Sequence, residues 1–486
     1  MQILAAAAEI YPFVKTGGLA DVTGSLPKAL EKFGVHTRTL VPGYPDVLRS
    51  LDSGTVLRTY ESVFGAKARL LGAHVNGLDI IALDAPDLFF RAGGPYGPGG
   101  AQEYEDNWRR FAALSWIAAD IAQNGADGWR PSLLHAHDWH SALSLVYLKY
   151  CGDVDIPRIL TLHNLSFQGQ FPAERFAELG LPASCYNVDC LEYYGDLSYL
   201  KAGLLSADAI TVVSPTYARE ILSPQNGMGL DGVLNLRQED IVGIVNGIDM
   251  DIWDPSSDPH IVHRYSARTP LRRLPNRISL LKQVGLPSTR GLIFASVNRM
   301  TWQKGMDMLA AVVDEIVDRG GKLIVHGKGD EAIEQLFVRA AKRHPRHVAA
   351  VIGYNEALAH MIHAGADAML VPSRFEPCGL TQLYALRYGC VPIVSRTGGL
   401  AETIIDANDA AVHARAATGI QFNPINVGGL RHALQRAFKL HRRHRGWERL
   451  CRQAMKADCS WERSAAQYVE VYGRLLDKGE HLQQQA

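Results

Sequence analysis

Cysteine is scarce in this chain and shows no pattern. The seven thiols in 486 residues are odd in number, scattered, and never spaced Cys-x-x-Cys, which fits reduced thiols in a cytoplasmic protein better than a disulfide framework. An excess of either charge is also missing. Fifty Lys and Arg balance fifty Asp and Glu, so neither nucleic acid nor an anionic membrane is expected as a partner. The run His441-Arg442-Arg443-His444-Arg445 reads as a solvated helix face. No uninterrupted apolar run approaches the ~20 residues of a membrane span. The start, Met1-Gln2-Ile3-Leu4-Ala5-Ala6-Ala7-Ala8, lacks a basic n-region and runs directly into Glu9. It predicts a first buried strand, not a signal peptide.

What is present is a repeated phrase. Thr16-Gly17-Gly18-Leu19-Ala20-Asp21 and Thr397-Gly398-Gly399-Leu400-Ala401-Glu402 each follow a strand-like apolar run and open a helix-like one. Each is expected to place paired glycines at the carboxyl end of a strand, beside helix amides with no intrahelical partner. That is where open α/β sheets bind anionic ligands. Lys15 adds a cation to the first copy. By itself a glycine pair is also compatible with a chance resemblance between two turns.

Short β-rich runs alternate with longer helical patterns throughout, which predicts parallel sheets with crossover helices. The first series of expected strands is Thr37–Val41, Asp79–Leu83, Leu133–Ala136, Arg158–Leu162 and Ala209–Val213. The second is Leu292–Val297, Lys322–His326, Val348–Ile352, Ala368–Val371 and Val391–Val394. A length prior of roughly 150 residues per domain gives two or three domains, with a junction expected at about Val242–Asp254, where Asn246-Gly247 carries a turn signature. The stretch from Gly93 to Gly100, which includes Tyr96, reads as a mobile surface loop, and Lys478 to Ala486 as a frayed tail.

Several strand ends carry groups suited to chemistry. Arg299 and Lys304 lie five positions apart after a strand; a loop that doubles back would present a planar fork and a point charge to one diphosphate, and an ordinary surface pair is the alternative. In Ser373-Arg374-Phe375-Glu376-Pro377-Cys378-Gly379-Leu380-Thr381, proline forces an extended approach and a helix begins near Gly379. The amides of Gly379, Leu380 and Thr381 then face an anion, while Glu376 either holds sugar hydroxyls or serves as a structural cap. His135-Ala136-His137-Asp138-Trp139-His140 invites a metal reading, but no carboxylate- or cysteine-rich cluster accompanies it. Structural histidines beside a functional Asp138 are the expectation. His163 ends another strand and is either a core histidine or a site residue. Gly327-Lys328-Gly329-Asp330 resembles a phosphate nest without the rest of a nucleotide-binding fingerprint.

Taken in order, the motifs Lys15–Asp21, His135–Trp139, Val245-Asn246-Gly247, the Arg299/Lys304 loop and Ser373–Tyr384 resemble those of bacterial glycogen synthases and plant starch synthases across nearly the whole chain. The resemblance implies an α/β fold of the GT-B type, with two Rossmann-like doubly wound domains facing a central cleft. It implies an acceptor-side domain over 1–244, a donor-side domain over 245–460, and a final helix over 461–486 crossing back to the first domain. It further implies glucosyl transfer from ADP-glucose to the non-reducing end of an α-1,4-glucan, glycogen in bacteria, with retention and with neither metal nor cofactor; oligomeric state is left open. By resemblance, Asp138, His163, Arg299, Lys304 and Glu376 form the catalytic set. Lys15, Gly17, Gly18, Asp21, Tyr96, Asn246, Tyr354, Cys378, Gly379, Leu380 and Thr381 bind substrate, Tyr354 by stacking on adenine. Two departures from the family pattern stand out: Glu402 where bacterial members usually carry aspartate, and Lys328 where a small residue is common. Tyr384, eight positions after Glu376, occupies the place where sucrose- and trehalose-type relatives carry a second glutamate. A catalytically silent glucan-binding protein would be expected to lose the charged donor contacts, and all of them are present.

Overall fold

The structure, a computed structural model, describes the backbone of residues 1–51, 54–99 and 102–483, with side chains through 477. It divides into two compact units, 1–246 with 461–486, and 247–460. The end of the tail expected from Lys478 lies outside the described residues, but helix Glu462–Gln483 carries most of it.

Among the described residues the main sheet of the first unit has nine strands. Their spatial order is Ile241–Gly243, Ala209–Val212, Arg158–Leu162, Leu133–His137, Gln2–Ala6, His36–Pro42, Leu78–Asp84, Ala66–Val75 and Thr55–Val63. The first seven in that order are parallel, and the last two form an antiparallel hairpin on the edge. The parallel strands are apolar at nearly every position because both faces are covered. Alternation sends Ile3, Leu133, Ile159 and Ala209 to one face, against Val22 and Leu26 of helix Gly18–Glu31 and against Trp461, Tyr468 and Tyr472. Leu4, Leu134, Leu160 and Ile210 go to the other, under helices Asn107–Asn124 and Trp139–Cys151. The terminal helix is thus a layer of this unit's core. Tyr472 Oη lies 2.9 Å from His135 Nδ1 in the sheet.

The second unit has six strands among the described residues, all parallel, in the order Val348–Ile352, Lys322–Gly327, Ile293–Val297, Ala368–Val371, Val391–Ser395 and Ile420–Phe422. This is the 3-2-1-4-5-6 order of a doubly wound sheet. Both units are therefore Rossmann-like, and among the parallel strands each reverses its order once: between Gln2–Ala6 and Leu133–His137 in the first, and between Ile293–Val297 and Ala368–Val371 in the second. Loops leaving the carboxyl ends at such a reversal run apart, and ligand-binding groups collect between them. Among the described residues no helix is long and apolar enough to cross a membrane.

Replacing Tyr472 by Phe keeps the ring in the core but leaves a buried imidazole nitrogen without its partner. We expect a loss of about 1–3 kcal/mol, read as a lower urea midpoint of the first unit. An unchanged midpoint would show that the terminal helix is held by packing alone.

Candidate active site

In the first unit, the loop after Gln2–Ala6 folds around one buried carboxylate. Glu9 accepts hydrogen bonds from Thr16 N at 2.5 Å, Thr16 Oγ1 at 2.5 Å, Gly17 N at 3.3 Å and Tyr96 Oη at 2.5 Å. These contacts deliver the chain to the start of helix Gly18–Glu31, whose first turn has no side-chain cap at Gly17. A Cβ placed on Gly17 would meet nothing within 4 Å, so the helix N-terminus faces open space, where a ligand's negative charge is favoured. Lys15 stands beside it with Nζ 2.7 Å from Asp21 Oδ1. The expected mobile loop around Tyr96 is instead a packed one. Tyr96 is fixed through its hydroxyl to Glu9, its carbonyl accepts from Tyr104 N and Asn107 Nδ2, and its ring stacks on His140 at 4.7 Å. Gly97 serves a close backbone approach, since a Cβ there would lie 1.8 Å from the carbonyl oxygen of Gln102; Gly100, the end of the stretch, lies outside the described residues.

Across the strand reversal, Asp138 follows Leu133–His137 and starts helix Trp139–Cys151 with φ 55° and ψ −173°. A non-glycine residue in such a conformation carries strain that the surroundings must enforce. Its Oδ1 accepts from His163 N at 2.7 Å. Burial raises its carboxyl from 3.8 to about 7; the amides of His163 and Asn164 oppose that shift, and the nearby charge of Glu9 reinforces it. The histidines around it are neutral. Burial pushes His137 and His140 down to about 3, and His135 and His163 well below their ordinary value. His135 Nε2 meets Thr161 Oγ1 at 2.6 Å, and His137 Nδ1 meets His163 Nε2 at 3.0 Å, so these imidazoles are engaged with the protein. Among the described residues no group of three or more His, Cys, Asp or Glu is placed to hold a metal ion. Asn246, just beyond edge strand Ile241–Gly243, is buried, and among the described residues its side-chain oxygen has no hydrogen-bond partner.

The second unit gathers most of the other candidates at its own reversal. After Ile293–Val297 the chain turns back at Gly305, with φ 65°, where a Cβ would lie 1.9 Å from the carbonyl oxygen of Pro372; only glycine fits. This doubling back brings Lys304 Nζ to 2.6 Å from Glu376 Oε2, which also accepts from Ser373 Oγ at 2.8 Å. The two groups are buried together, their side chains 14% and 6% exposed. Arg299 is exposed, with no ion-pair partner among the described residues. Thr381 starts helix Thr381–Tyr388, and Leu380 before it offers no side-chain cap. Gln382 ties the turn from inside by donating to the carbonyls of Cys378 and Gly379. Tyr354 follows the strand two places away and is 73% exposed. Tyr384 is a packing residue, stacked on Trp253 at 3.7 Å.

The sequence gives little warning of the fasteners. Arg374 forms two parallel bonds to Asp307, Nη1–Oδ1 and Nη2–Oδ2 both at 2.7 Å, and lies over the Trp302 ring at 4.3 Å. It locks the Ser373–Thr381 turn to the Arg299–Lys304 loop and holds the Asp307 carboxyl below its usual range. Glu9 was equally unmarked; a carboxylate seven residues before a Thr-Gly pair was its only signal. The second glycine phrase departs from expectation. Gly398 has φ 43°, and a Cβ there would lie 1.9 Å from the carbonyl oxygen of Glu376. Gly399 N donates to the carbonyls of Glu376 and Pro377. This copy buttresses the Glu376 turn, and among the described residues the space beyond its glycines is taken by the Glu376–Cys378 backbone. The Gly327–Asp330 nest is likewise filled: Gly329 N donates to Glu334 Oε1 at 2.7 Å.

With this geometry in view, the relatives are informative. The family described as "Starch synthase catalytic domain" matches residues 2–236, and "Glycosyl transferases group 1" matches 279–447. The chain is 64% identical to glycogen synthase 2 of Rhizobium meliloti over 477 residues, covering 98% of each protein. It is 53% identical to glycogen synthase 1 of the same organism, covering 99% of this chain and all of that one. Among solved structures, the catalytic domain of starch synthase IV from Arabidopsis thaliana, bound to ADP and acarbose, superposes with a TM-score of 0.88 at 30% identity, covering 98% of this chain and 99% of that one. Sucrose-phosphate synthase from Thermosynechococcus elongatus shares the fold, with a TM-score of 0.60 at 19% identity. Two doubly wound units, the motifs at their reversals and near-full-length identity lead to one conclusion: the chain belongs to the glycogen and starch synthase family of GT-B glycosyltransferases.

Proposed function

We propose that this chain transfers the glucosyl group of ADP-glucose to the non-reducing end of an α-1,4-glucan such as glycogen, with retention of configuration, without a metal ion, and with release of ADP. The observation that carries this reading is the strand-order reversal of the second unit. There an exposed arginine, a buried lysine–glutamate pair and an uncapped helix N-terminus lie on loops locked to one another. That set suits a sugar diphosphate: cations and amides for the phosphates, a carboxylate for sugar hydroxyls. The second unit is accordingly assigned the nucleotide sugar and the first the glucan acceptor. Support comes from relatives named glycogen synthase and from a structural neighbour whose structure holds ADP and acarbose. Seven free cysteines favour a cytoplasmic location.

In the proposed reaction the bond from the anomeric carbon to the diphosphate oxygen breaks, and a bond to the acceptor's 4-oxygen forms on the same face. The acceptor's hydroxyl proton passes to the departing phosphate. Negative charge grows on the diphosphate as positive charge grows on the sugar ring. Lys304 gives one of its three N–H donors to Glu376, which leaves two for phosphate oxygens while the carboxylate fixes the ammonium's position. Arg299 adds a planar fork. Groups arranged before the reaction stabilise the charge without reorganising, each contributing about 10²–10³ in rate. Asp138, ionised above its raised pKa, is suited to bonding sugar hydroxyls near the developing positive charge.

Arg299→Ala and Lys304→Ala should each lower turnover by about two to three orders of magnitude in folded protein, with Arg299→Lys recovering little. Near-normal turnover in both alanine variants would remove the phosphate-binding assignment.

For Asp138, the folded pKa lies above the unfolded one. Between about 4 and 7 the folded chain holds an extra proton, so this group destabilises the fold progressively as pH rises through that window, and fully above it. Asp138→Asn should therefore gain resistance to urea at pH 8 relative to wild type, with little gain at pH 4, while losing most of its turnover. Wild-type activity should fall as pH drops through about 7. A variant that is both active and no more stable would overturn this role.

Exhaustive chelation with EDTA should leave activity intact, because the proposed charge stabilisation comes from Arg299, Lys304 and helix amides. Loss of activity restored only by Mg²⁺ or Mn²⁺ would reverse the metal-independent reading.

A further inference from the structure

The carboxylate of Glu9 is 2% exposed as a residue, yet it belongs to none of the groups assigned above. It accepts four hydrogen bonds, two of them from backbone amides of the Thr16-Gly17 turn and one from the Tyr96 hydroxyl. Its own carbonyl accepts from Thr23 Oγ1 at 2.7 Å, one turn inside helix Gly18–Glu31. A residue serving packing alone has no use for a charge here, since burying a carboxylate is costly unless several donors compensate. The donors that compensate are those of the glycine loop. Strand Gln2–Ala6, the Lys15–Gly18 turn, the Tyr96 loop and the helix start are thereby tied to one point.

We propose that Glu9 is a positioning residue of the first unit's glycine loop. Its carboxylate fixes the Thr16-Gly17 backbone against Tyr96, and so sets where Lys15 and the open N-terminus of helix Gly18–Glu31 are presented to the substrate. This rests on the reading that the first unit takes part in glucosyl transfer. Glu9 also acts on Asp138 across the strand reversal: its negative charge helps raise that carboxyl. The other titratable groups near Asp138 are Tyr96, His137, His140 and His163, with Arg110 behind His140. Burial keeps the three imidazoles neutral, so Glu9 is the charge whose removal Asp138 should register.

The test uses the full chain with Glu9→Gln, which keeps the shape but removes the charge, beside Tyr96→Phe, which removes one bond and keeps it. With ADP-glucose and glycogen, kcat/KM should fall about 10–100-fold in Glu9→Gln and by less than 10-fold in Tyr96→Phe, as expected for charge-assisted against single neutral-donor losses. The acid limb of the rate profile should move to lower pH in Glu9→Gln only. Hydrogen exchange of the Thr16 and Gly17 amides should speed up in Glu9→Gln whatever the activity. If wild type shows no glucosyl transfer, the functional reading fails and exchange alone decides the positioning role. Unchanged exchange, or wild-type kcat/KM with an unmoved acid limb in an active Glu9→Gln, would overturn the proposal. Should Glu9→Gln fail to fold, Tyr96→Phe decides: it leaves the Glu9 carboxylate one donor short, so exchange at Thr16 and Gly17 should still speed up, and unchanged exchange there would overturn the proposal.

Discussion

Each unit depends on a constraint of parallel sheets: where strand order reverses, the loops on either side of the reversal cannot cover the strand ends. Backbone amides and polar side chains are left without secondary-structure partners at that place. The chain answers with charged fasteners. Glu9 gathers the amides of one loop; Arg374–Asp307 and Lys304–Glu376 bind two loops of the second unit to each other. An isolated surface ion pair contributes little. Lys304–Glu376 is largely screened from water and carries a further hydrogen bond from Ser373, so removing one partner would strand a charge. Arg374–Asp307 is more exposed and relies on its two parallel bonds. The local strain at Asp138 and the tight turn at Gly305 persist because the surrounding bonds leave the backbone no alternative.

The two Thr-Gly-Gly-Leu-Ala phrases show how one local sequence takes two jobs. In both, paired glycines follow a strand and open a helix. At Gly17 the space beyond the backbone is empty; at Gly398 and Gly399 it is filled by the Glu376–Cys378 backbone, with a hypothetical Cβ at 1.9 and 2.2 Å. In the first copy the missing side chain leaves open space, where the proposed function puts a ligand, and in the second it leaves room for the protein. No feature within the phrase separates these outcomes. The difference comes from what the neighbouring strand's loop does.

That limit explains what could be read in advance. All ten strands read from the apolar runs are found, each within a residue or so of its expected ends, because a buried parallel strand must be apolar on both faces. The edge hairpin Thr55–Val63 with Ala66–Val75 escaped notice, since its outward face alternates polar residues and much of it is exposed. Among chemical groups, the motif residues were legible by type and order. Their pairings were not. That Lys304 meets Glu376 follows from the fold of two loops 72 positions apart. That Tyr96 is pinned inside a glycine-rich stretch depends on Glu9, 87 positions away. Composition spoke for mobility there, and tertiary hydrogen bonding prevailed.

The surroundings of Asp138 give these pairings a chemical consequence. Four neutral histidines, a phenol and several apolar faces make a region in which a carboxylate has few compensating cations. Two backbone amides favour its ionised form, while burial and Glu9 oppose it; the balance lies near neutrality. A lysine or arginine in contact would settle the charge permanently but would also occupy the oxygens that the proposed role assigns to a sugar. A poised carboxylate held by amides stays in place without a permanent counter-charge, at the expense of fold stability at alkaline pH. Stability is thereby given up at a residue whose backbone is also strained, a combination that suits the proposed chemical role better than a role in packing.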